Sequence, residues 1–362
     1  MSKAQARSLR FINLLCESLP RVMLPRPNIA GHRLDPFLAI LRRLRAFKGR
    51  PPSWHLSPEA AREQWRAELL PLRAQWLVAQ VDDIDIDGAD GKLLARHYRP
   101  DAAQALPVLL VYLHGGGYVL GDLDTHDDIC RQLCRDAGVQ VLSVAYRLAP
   151  EHPFPCGLND ALAAMRWAQL HAAAWGITAE AVAIGGDSAG ATLAAVVAHQ
   201  LAREGQPPVA QCLFYPGTDL MSERPSQNAY GHGLFLSVEE RAWFYQHYLG
   251  DEPMAKGDPR VSPLWQKDLS LTPPTVLCTA ELDMLRDEGL AYAMVLRKAG
   301  VELRHFTGEG LGHGFVQITG VHSTSRRAVK QAAQALRDLV LSRSFKQADN
   351  PRPTSSAHPC RS

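Results

Sequence analysis

The chain has 362 residues, 46% of them hydrophobic and 21% charged, with a net charge of +2. This length suits one large α/β domain with an appendage, or two domains, and the composition is that of a folded globular protein rather than a disordered one. No stretch approaches the roughly 20 apolar residues of a membrane span, and the near-neutral total gives nucleic acid no electrostatic footing.

The first 75 residues read as helical. Asp35-Pro36 places an N-cap and an N1 proline ahead of Phe37, Leu38, Ile40, Leu41 and Leu44, and Ser57-Pro58-Glu59 does the same ahead of Trp65, Leu69 and Leu70. Residues 1–50 carry eleven Lys/Arg against two acids, a local charge of +9, which leaves −7 for the rest of the +2 total. A solvated face of N-terminal helices accounts for that asymmetry. The alternative is weak contact of residues 7–24 with an acidic lipid surface, because Phe11, Ile12, Leu14, Leu15 and Leu19 stand among Arg7, Arg10 and Arg21. The same arginines, with Glu17 and Pro20, interrupt any apolar core of a secretory signal.

From Val81 the period changes. Asp83-Ile84-Asp85-Ile86-Asp87 alternates, Gly88 and Gly91 turn the chain, and 93–98 returns as the second strand of a hairpin. Continuous apolar runs follow at 108–113, 139–145, 181–184, 212–215 and 275–278, as in strands buried on both faces. Helical patterns at 125–136, 158–174, 189–203, 285–299 and 321–341 alternate with them. The expectation is an α/β fold with a mostly parallel central sheet and helices on both faces. An aromatic-rich stretch from 217 to 263 interrupts the alternation, with a capping box at Ser237-Val238-Glu239-Glu240 ahead of Trp243 and Phe244. It either covers a pocket or packs its own helix onto the body. The Pro/Ser-rich end, residues 345–362, reads as disordered. Seven scattered cysteines, an odd number without a C-x-x-C pair, read as reduced core residues in a cytoplasmic protein that binds no metal.

Four short stretches carry chemistry. His114-Gly115-Gly116-Gly117 ends the strand at 108–113, and its glycines leave backbone N–H groups unshielded for an anion, with His114 as a structural residue of the loop. Gly186-Asp187-Ser188-Ala189-Gly190 lies between an apolar strand and a small-residue helix. In that context G-x-S-x-G holds a serine at the apex of a sharp turn, beside a helix N-terminus that favours negative charge. Serine needs a base, and the base needs an orienting acid. His313, in Gly312-His313-Gly314, follows the strand-like run 302–306 and is the candidate base. Glu281, Asp283, Asp287 and Glu288 compete for the acid. Asp287 and Glu288 read as first-turn helix acids, Glu281 lies nearer the strand end, and Asp283 sits on the loop with reach. The chain order Ser…Asp…His is that of an α/β-hydrolase.

These stretches, with Gly121–Asp127 and Tyr146–Pro155, resemble the bacterial branch of the hormone-sensitive lipase family over roughly residues 80–340. Leu34-Asp35-Pro36 and Leu56-Ser57-Pro58-Glu59 also resemble that family's N-terminal cap. The resemblance implies an α/β-hydrolase fold organised as a helical cap segment (1–75), core (76–216), cap insertion (217–263) and core (264–344). It implies Ser188 as nucleophile, His313 as base and Asp283 as orienter. Oxyanion donors would be Gly116, Gly117 and Ala189 on the loop with His114 and Gly115. Substrates would be short- to medium-chain acyl esters, with no cofactor, and Tyr118, Phe235, Trp243 and Phe244 would line the pocket. Met284 stands where the family usually has proline, and Cys156 where it commonly has alanine. Hydrolysis of a lactone, amide or thioester uses the same attack chemistry, and a non-catalytic binding protein on this fold is a further alternative that the retained Ser188, Asp283 and His313 oppose. A homodimer is left open.

Overall fold

The computed structural model describes residues 3–19, 24–47, 49–232, 235–250 and 256–349. The chain begins with helix α1 (Lys3–Ser18), a two-residue antiparallel ladder β1 (Asn28–Ile29) and β2 (His32–Arg33), and helices α2 (Pro36–Phe47) and α3 (Pro58–Leu69). Both expected caps form. Asp35 Oδ1 accepts from Phe37 N at 2.9 Å and Ser57 Oγ from Ala60 N at 3.3 Å, each satisfying a donor that a helix start leaves unpaired.

The period-two segment folds as the hairpin β3 (Gln80–Asp87) and β4 (Lys92–Arg99). Then β5 (Leu109–Leu113), α4 (Asp127–Ala137), β6 (Gln140–Val144), α5 (Cys156–His171), β7 (Val182–Asp187), α6 (Ala189–Arg203) and β8 (Gln211–Phe214) alternate as the apolar runs require. Helices α7 (Pro225–Tyr230) and α8 (Val238–Leu249) follow, before β9 (Thr275–Leu282), α9 (Arg286–Lys298), β10 (Leu303–Gly312) and α10 (Ser323–Asp349). Eight strands form one sheet in the order β10-β9-β8-β7-β5-β6-β4-β3. Those from β10 to β6 pair in parallel, and β4 and β3 continue the sheet antiparallel.

Strand residues alternate between two cores. Leu109, Val111 and Leu113 of β5 pack on the side of α5, α6 and α9, and Leu110 and Tyr112 on the side of α4 and α10. Both faces are thus apolar, which is why these strands read as unbroken hydrophobic runs. The stretch 146–155 is tied down structurally: the Arg147 guanidinium donates twice to the buried carboxylate of Asp160, through Nε at 2.8 Å and Nη2 at 2.9 Å.

One segment departs from the sequence reading. Helix α10 continues to Asp349, past 344, where the disordered tail was expected to begin. Ala, Lys and Gln favour helix and no proline intervenes before Pro351. The remaining tail, 350–362, lies outside the described residues, as do 20–23 of the basic arm. Helix α1 packs against the body. Ala6, Leu9 and Asn13 are buried, and Arg10 donates to Gly320 O at 3.2 Å and Arg73 O at 2.8 Å. Its other face leaves Phe11, Leu14 and Leu15 exposed, and Leu19 just beyond the helix is exposed too. Among the described residues no helix is long and apolar enough to cross a membrane.

Candidate active site

All four chemistry-bearing stretches start at C-terminal ends of parallel strands. His114 follows β5, Ser188 follows β7, Asp283 follows β9 and His313 follows β10. Crevices beyond the carboxyl ends of strands are where open α/β sheets place their ligands. With β5, β7, β8, β9 and β10 adjacent, residues up to 199 positions apart in sequence meet there.

The strand-to-helix turn holds Ser188 at φ 52°, ψ −122°, a sparsely populated backbone conformation that costs about 1–3 kcal/mol. Two backbone bonds hold it: Ser188 N donates to Phe214 O at 2.9 Å and Thr192 N donates to Ser188 O at 3.0 Å. Gly190 permits the turn, because a Cβ there would overlap the carbonyls of Leu113 and His114.

Ser188 Oγ lies 2.8 Å from His313 Nε2, and His313 Nδ1 lies 2.7 Å from Asp283 Oδ2. With a carboxylate at Nδ1, that nitrogen carries the proton and donates it, leaving Nε2 to accept from the serine hydroxyl. Asp283 is buried, and its second oxygen accepts from Leu285 N at 2.9 Å. Burial pulls the His313 pKa down, but the charge and hydrogen bond of Asp283 outweigh it and hold the ring above its ordinary value.

The three competing carboxylates are engaged elsewhere. Glu281 takes His32 Nδ1 at 2.8 Å and Gly310 N at 2.8 Å. Asp287 accepts from Ser226 N at 2.8 Å and Arg286 Nε at 2.9 Å. Glu288 goes beyond its reading as a first-turn acid: it is fully buried, accepting from Thr218 N at 2.8 Å and Arg241 Nη2 at 3.2 Å.

The glycine loop faces the serine. Among the described residues no acceptor takes the N–H groups of Gly116, Gly117 or Ala189. Gly117 adopts φ +61°, and a Cβ there would fall on the Phe244 ring. His114 is buried, stacks on Tyr146 at 4.4 Å and engages Gly115 O through Nδ1 at 2.8 Å. Burial and nearby His126 drive its pKa down to about 3, so the ring is neutral. Asp187, only a variable position of the serine motif to sequence reasoning, joins the two loops. Its Oδ1 accepts from Gly115 N at 3.0 Å and Tyr112 OH at 2.8 Å.

A cavity of about 1160 Å³ opens above Ser188 and His313. Of the four aromatics named for the pocket, Tyr118, Phe235 and Phe244 line this cavity and Trp243 does not. Glu240 and Phe244 lie four residues apart on α8, on one face of the helix, and Trp243 points off that face. Phe244 takes the cavity side with Glu240, and Trp243 packs edge-on against His247 at 4.6 Å. Sequence reasoning also missed Leu9, Ile12 and Leu41 of the N-terminal helices, which line the same cavity, and Tyr215, whose ring lies 4.6 Å from that of His313. The aromatic at the end of the 212–215 run was the one available signal for Tyr215. Among the described residues no group of three His, Cys, Asp or Glu side chains is placed to hold a metal ion.

A family model described as the alpha/beta hydrolase fold matches residues 110–317. The chain is 44% identical over 287 residues to the carboxylic ester hydrolase LipN of Mycobacterium tuberculosis, covering 77% of this chain and 75% of that protein. It is 41% identical over 261 residues to the ethyl acetate hydrolase of Pseudomonas putida, covering 71% of this chain and 82% of that one. Among solved structures, an alpha/beta hydrolase enzyme from the metagenome of Lake Arreo superposes with a TM-score of 0.80 at 37% identity, over 84% of this chain and 98% of its own.

Proposed function

We propose that this chain, which belongs to the alpha/beta hydrolase family and is a carboxylic ester hydrolase of its hormone-sensitive-lipase-like branch, cleaves short- to medium-chain acyl esters through an acyl-enzyme on Ser188. The observation that carries the reading is the hydrogen-bonded series Ser188–His313–Asp283, with spacings of 2.8 and 2.7 Å. Ser188 Oγ attacks the ester carbonyl carbon as its proton passes to His313 Nε2. The carbonyl oxygen becomes an oxyanion held by the N–H groups of Gly116, Gly117 and Ala189, where one donor contributes about 3–4 kcal/mol of transition-state stabilisation. The C–O bond to the alcohol then breaks, and His313 returns the proton to the departing oxygen. Water repeats the sequence on the acyl-enzyme: His313 takes its proton, the hydroxyl adds to the acyl carbon, and Ser188 regains the proton as the carboxylic acid leaves. Asp283 keeps the imidazole in its productive tautomer and stabilises the imidazolium.

Residues 1–75 and 217–263 act in this reading as the two parts of a cap, since α1, α2 and α8 all contribute to the cavity wall. A relative named for hydrolysing ethyl acetate supports short acyl groups. Ser188→Ala should abolish both turnover of p-nitrophenyl butyrate and labelling by an organophosphonate, and undiminished labelling would refute the assignment. Matched ester, amide and thioester substrates test the bond preference, and an acyl series from two to twelve carbons reads the length limit.

A further inference from the structure

One carboxylate in the cavity wall has no role in the chemistry above. Glu240 projects from α8 into the cavity that holds Ser188 and His313. Its Oε1 accepts from Ser53 Oγ at 2.7 Å, across from the loop between α2 and α3. Its Oε2 takes no protein donor, and no cation lies within 4.0 Å, among the described residues. Several other charges of the wall are paired, whereas Arg42 has no ion pair among the described residues. Glu68 binds Arg45 and Arg50, each at 3.1 Å, and Arg241 pairs with Glu288 at 3.2 Å. A carboxylate withdrawn from bulk solvent with a single neutral hydrogen bond is costly unless something else donates to it. Burial accordingly pushes the Glu240 pKa up. Glu240 and His313 line the same cavity and act on each other electrostatically.

Resting on the Ser188 reading, we propose that Glu240 is a specificity-determining residue. Its free oxygen accepts a hydrogen bond from a hydroxyl carried by the bound ester a few atoms from the reacting carbonyl. Hydroxylated esters, either hydroxyacyl esters or partial esters of a polyol, are then preferred over plain alkyl esters of the same length. A hydroxyl suits the site better than an ammonium, because Arg42, Arg45 and Arg50 line the same wall and oppose a second cation. A hydrogen bond from a neutral donor to a carboxylate corresponds to about 10- to 100-fold in kcat/KM.

The test compares two matched pairs on the full chain. The acyl side is read with p-nitrophenyl butyrate against p-nitrophenyl β-hydroxybutyrate, and the alcohol side with propyl butyrate against glycerol monobutyrate. The wild type should favour the hydroxylated member of one pair by about tenfold or more. Glu240→Met, which keeps the length and removes the acceptor, should abolish the preference mainly through KM and raise activity on the plain ester. Glu240→Gln should retain part of it, and Ser53→Ala, which leaves the carboxylate, should retain most of it. No preference in either pair, or a ratio unchanged in Glu240→Met, overturns the proposal. So does an equal loss on every ester with a shifted pH profile, which would make Glu240 an electrostatic support of His313. Failure of the Ser188 reading stays separable: it would appear as turnover surviving in Ser188→Ala, whereas the Glu240 readout is a ratio between two esters within one variant.

Discussion

Asp187 is the residue whose replacement separates support of the oxyanion loop from general packing. Its carboxylate is buried, and Oδ1 accepts from Gly115 N at 3.0 Å and Tyr112 OH at 2.8 Å, with His126 Nε2 at 3.4 Å and Tyr215 OH 3.4 Å from Oδ2. Burial would raise its pKa, but His126 and these donors together hold it below the usual carboxylate range. Asp187→Ala leaves two buried donors, Gly115 N–H and Tyr112 OH, without an acceptor. At about 1–3 kcal/mol for each, the expected loss of stability is about 2–6 kcal/mol, a large share of the 5–15 kcal/mol typical of a folded domain. Gly115 immediately precedes Gly116 and Gly117, two of the three proposed oxyanion donors, so a freed loop should also lose a factor of about 10²–10³ in kcat, the effect of one misplaced donor. Asp187→Asn guards against a variant that does not fold. It keeps one oxygen for the same two donors and turns its amide toward Tyr215 OH, which can accept, so about a tenfold loss in kcat with near-native stability is expected. Urea unfolding and kcat on p-nitrophenyl butyrate would be measured for both. A kcat within threefold of wild type in a folded Asp187→Ala protein would show that the loop is held by His114 and Tyr146 instead, and the argument would fail.

Gly117→Ala places a methyl on the Phe244 ring and an alanine at φ +61°, so kcat should drop at least a hundredfold. Adding Phe244→Ala should recover all but the 5- to 30-fold that a left-handed alanine costs, about 1–2 kcal/mol; a double variant no better than the single one refutes the steric account. Because Asp283 holds the His313 pKa above its ordinary value, and only the neutral ring accepts a proton, kcat/KM should rise with pH through a limb above about pH 6.5. Asp283→Asn should move that limb to lower pH while cutting kcat about 10⁴-fold; an unmoved limb would assign the titration to another group. Exposed Phe11, Leu15 and Leu19 with exposed Arg7, Arg42 and Arg43 should give salt-sensitive cosedimentation with anionic vesicles, weakened at least fivefold by the double change Phe11→Ser/Leu15→Ser. Equal pelleting of the two proteins would assign that face another role.

What could be read without coordinates was what the backbone demands locally. A serine between glycines at the end of an apolar run specifies its own turn, and a glycine triplet after a buried strand specifies exposed N–H groups. Asp283 marks the boundary of that reach. Four carboxylates stand within eight residues, from Glu281 to Glu288. Glu281 lies inside β9, where it is fixed against His32 and Gly310, and Asp283 is the first residue past the strand, free to turn toward His313. Chain order favoured Asp283, but only the end of β9 gives the physical reason. Trp243 fell on the far side of that boundary. Composition put an aromatic helix near the pocket, and the rotational phase of α8, set by packing against Gly117 and Tyr118, decided which aromatic entered. The cavity wall has no local signature at all. Leu9, Leu41, Ser53, Glu240 and Phe315 come from five separate segments, and the Ser53–Glu240 hydrogen bond spans 187 residues. A motif can encode the attack on a carbonyl because that chemistry needs one turn, one ring and one carboxylate at strand ends. In the reading proposed here, choice among esters falls to contacts between the cap segments, so single substitutions such as those at Glu240 should change it while every motif stays intact.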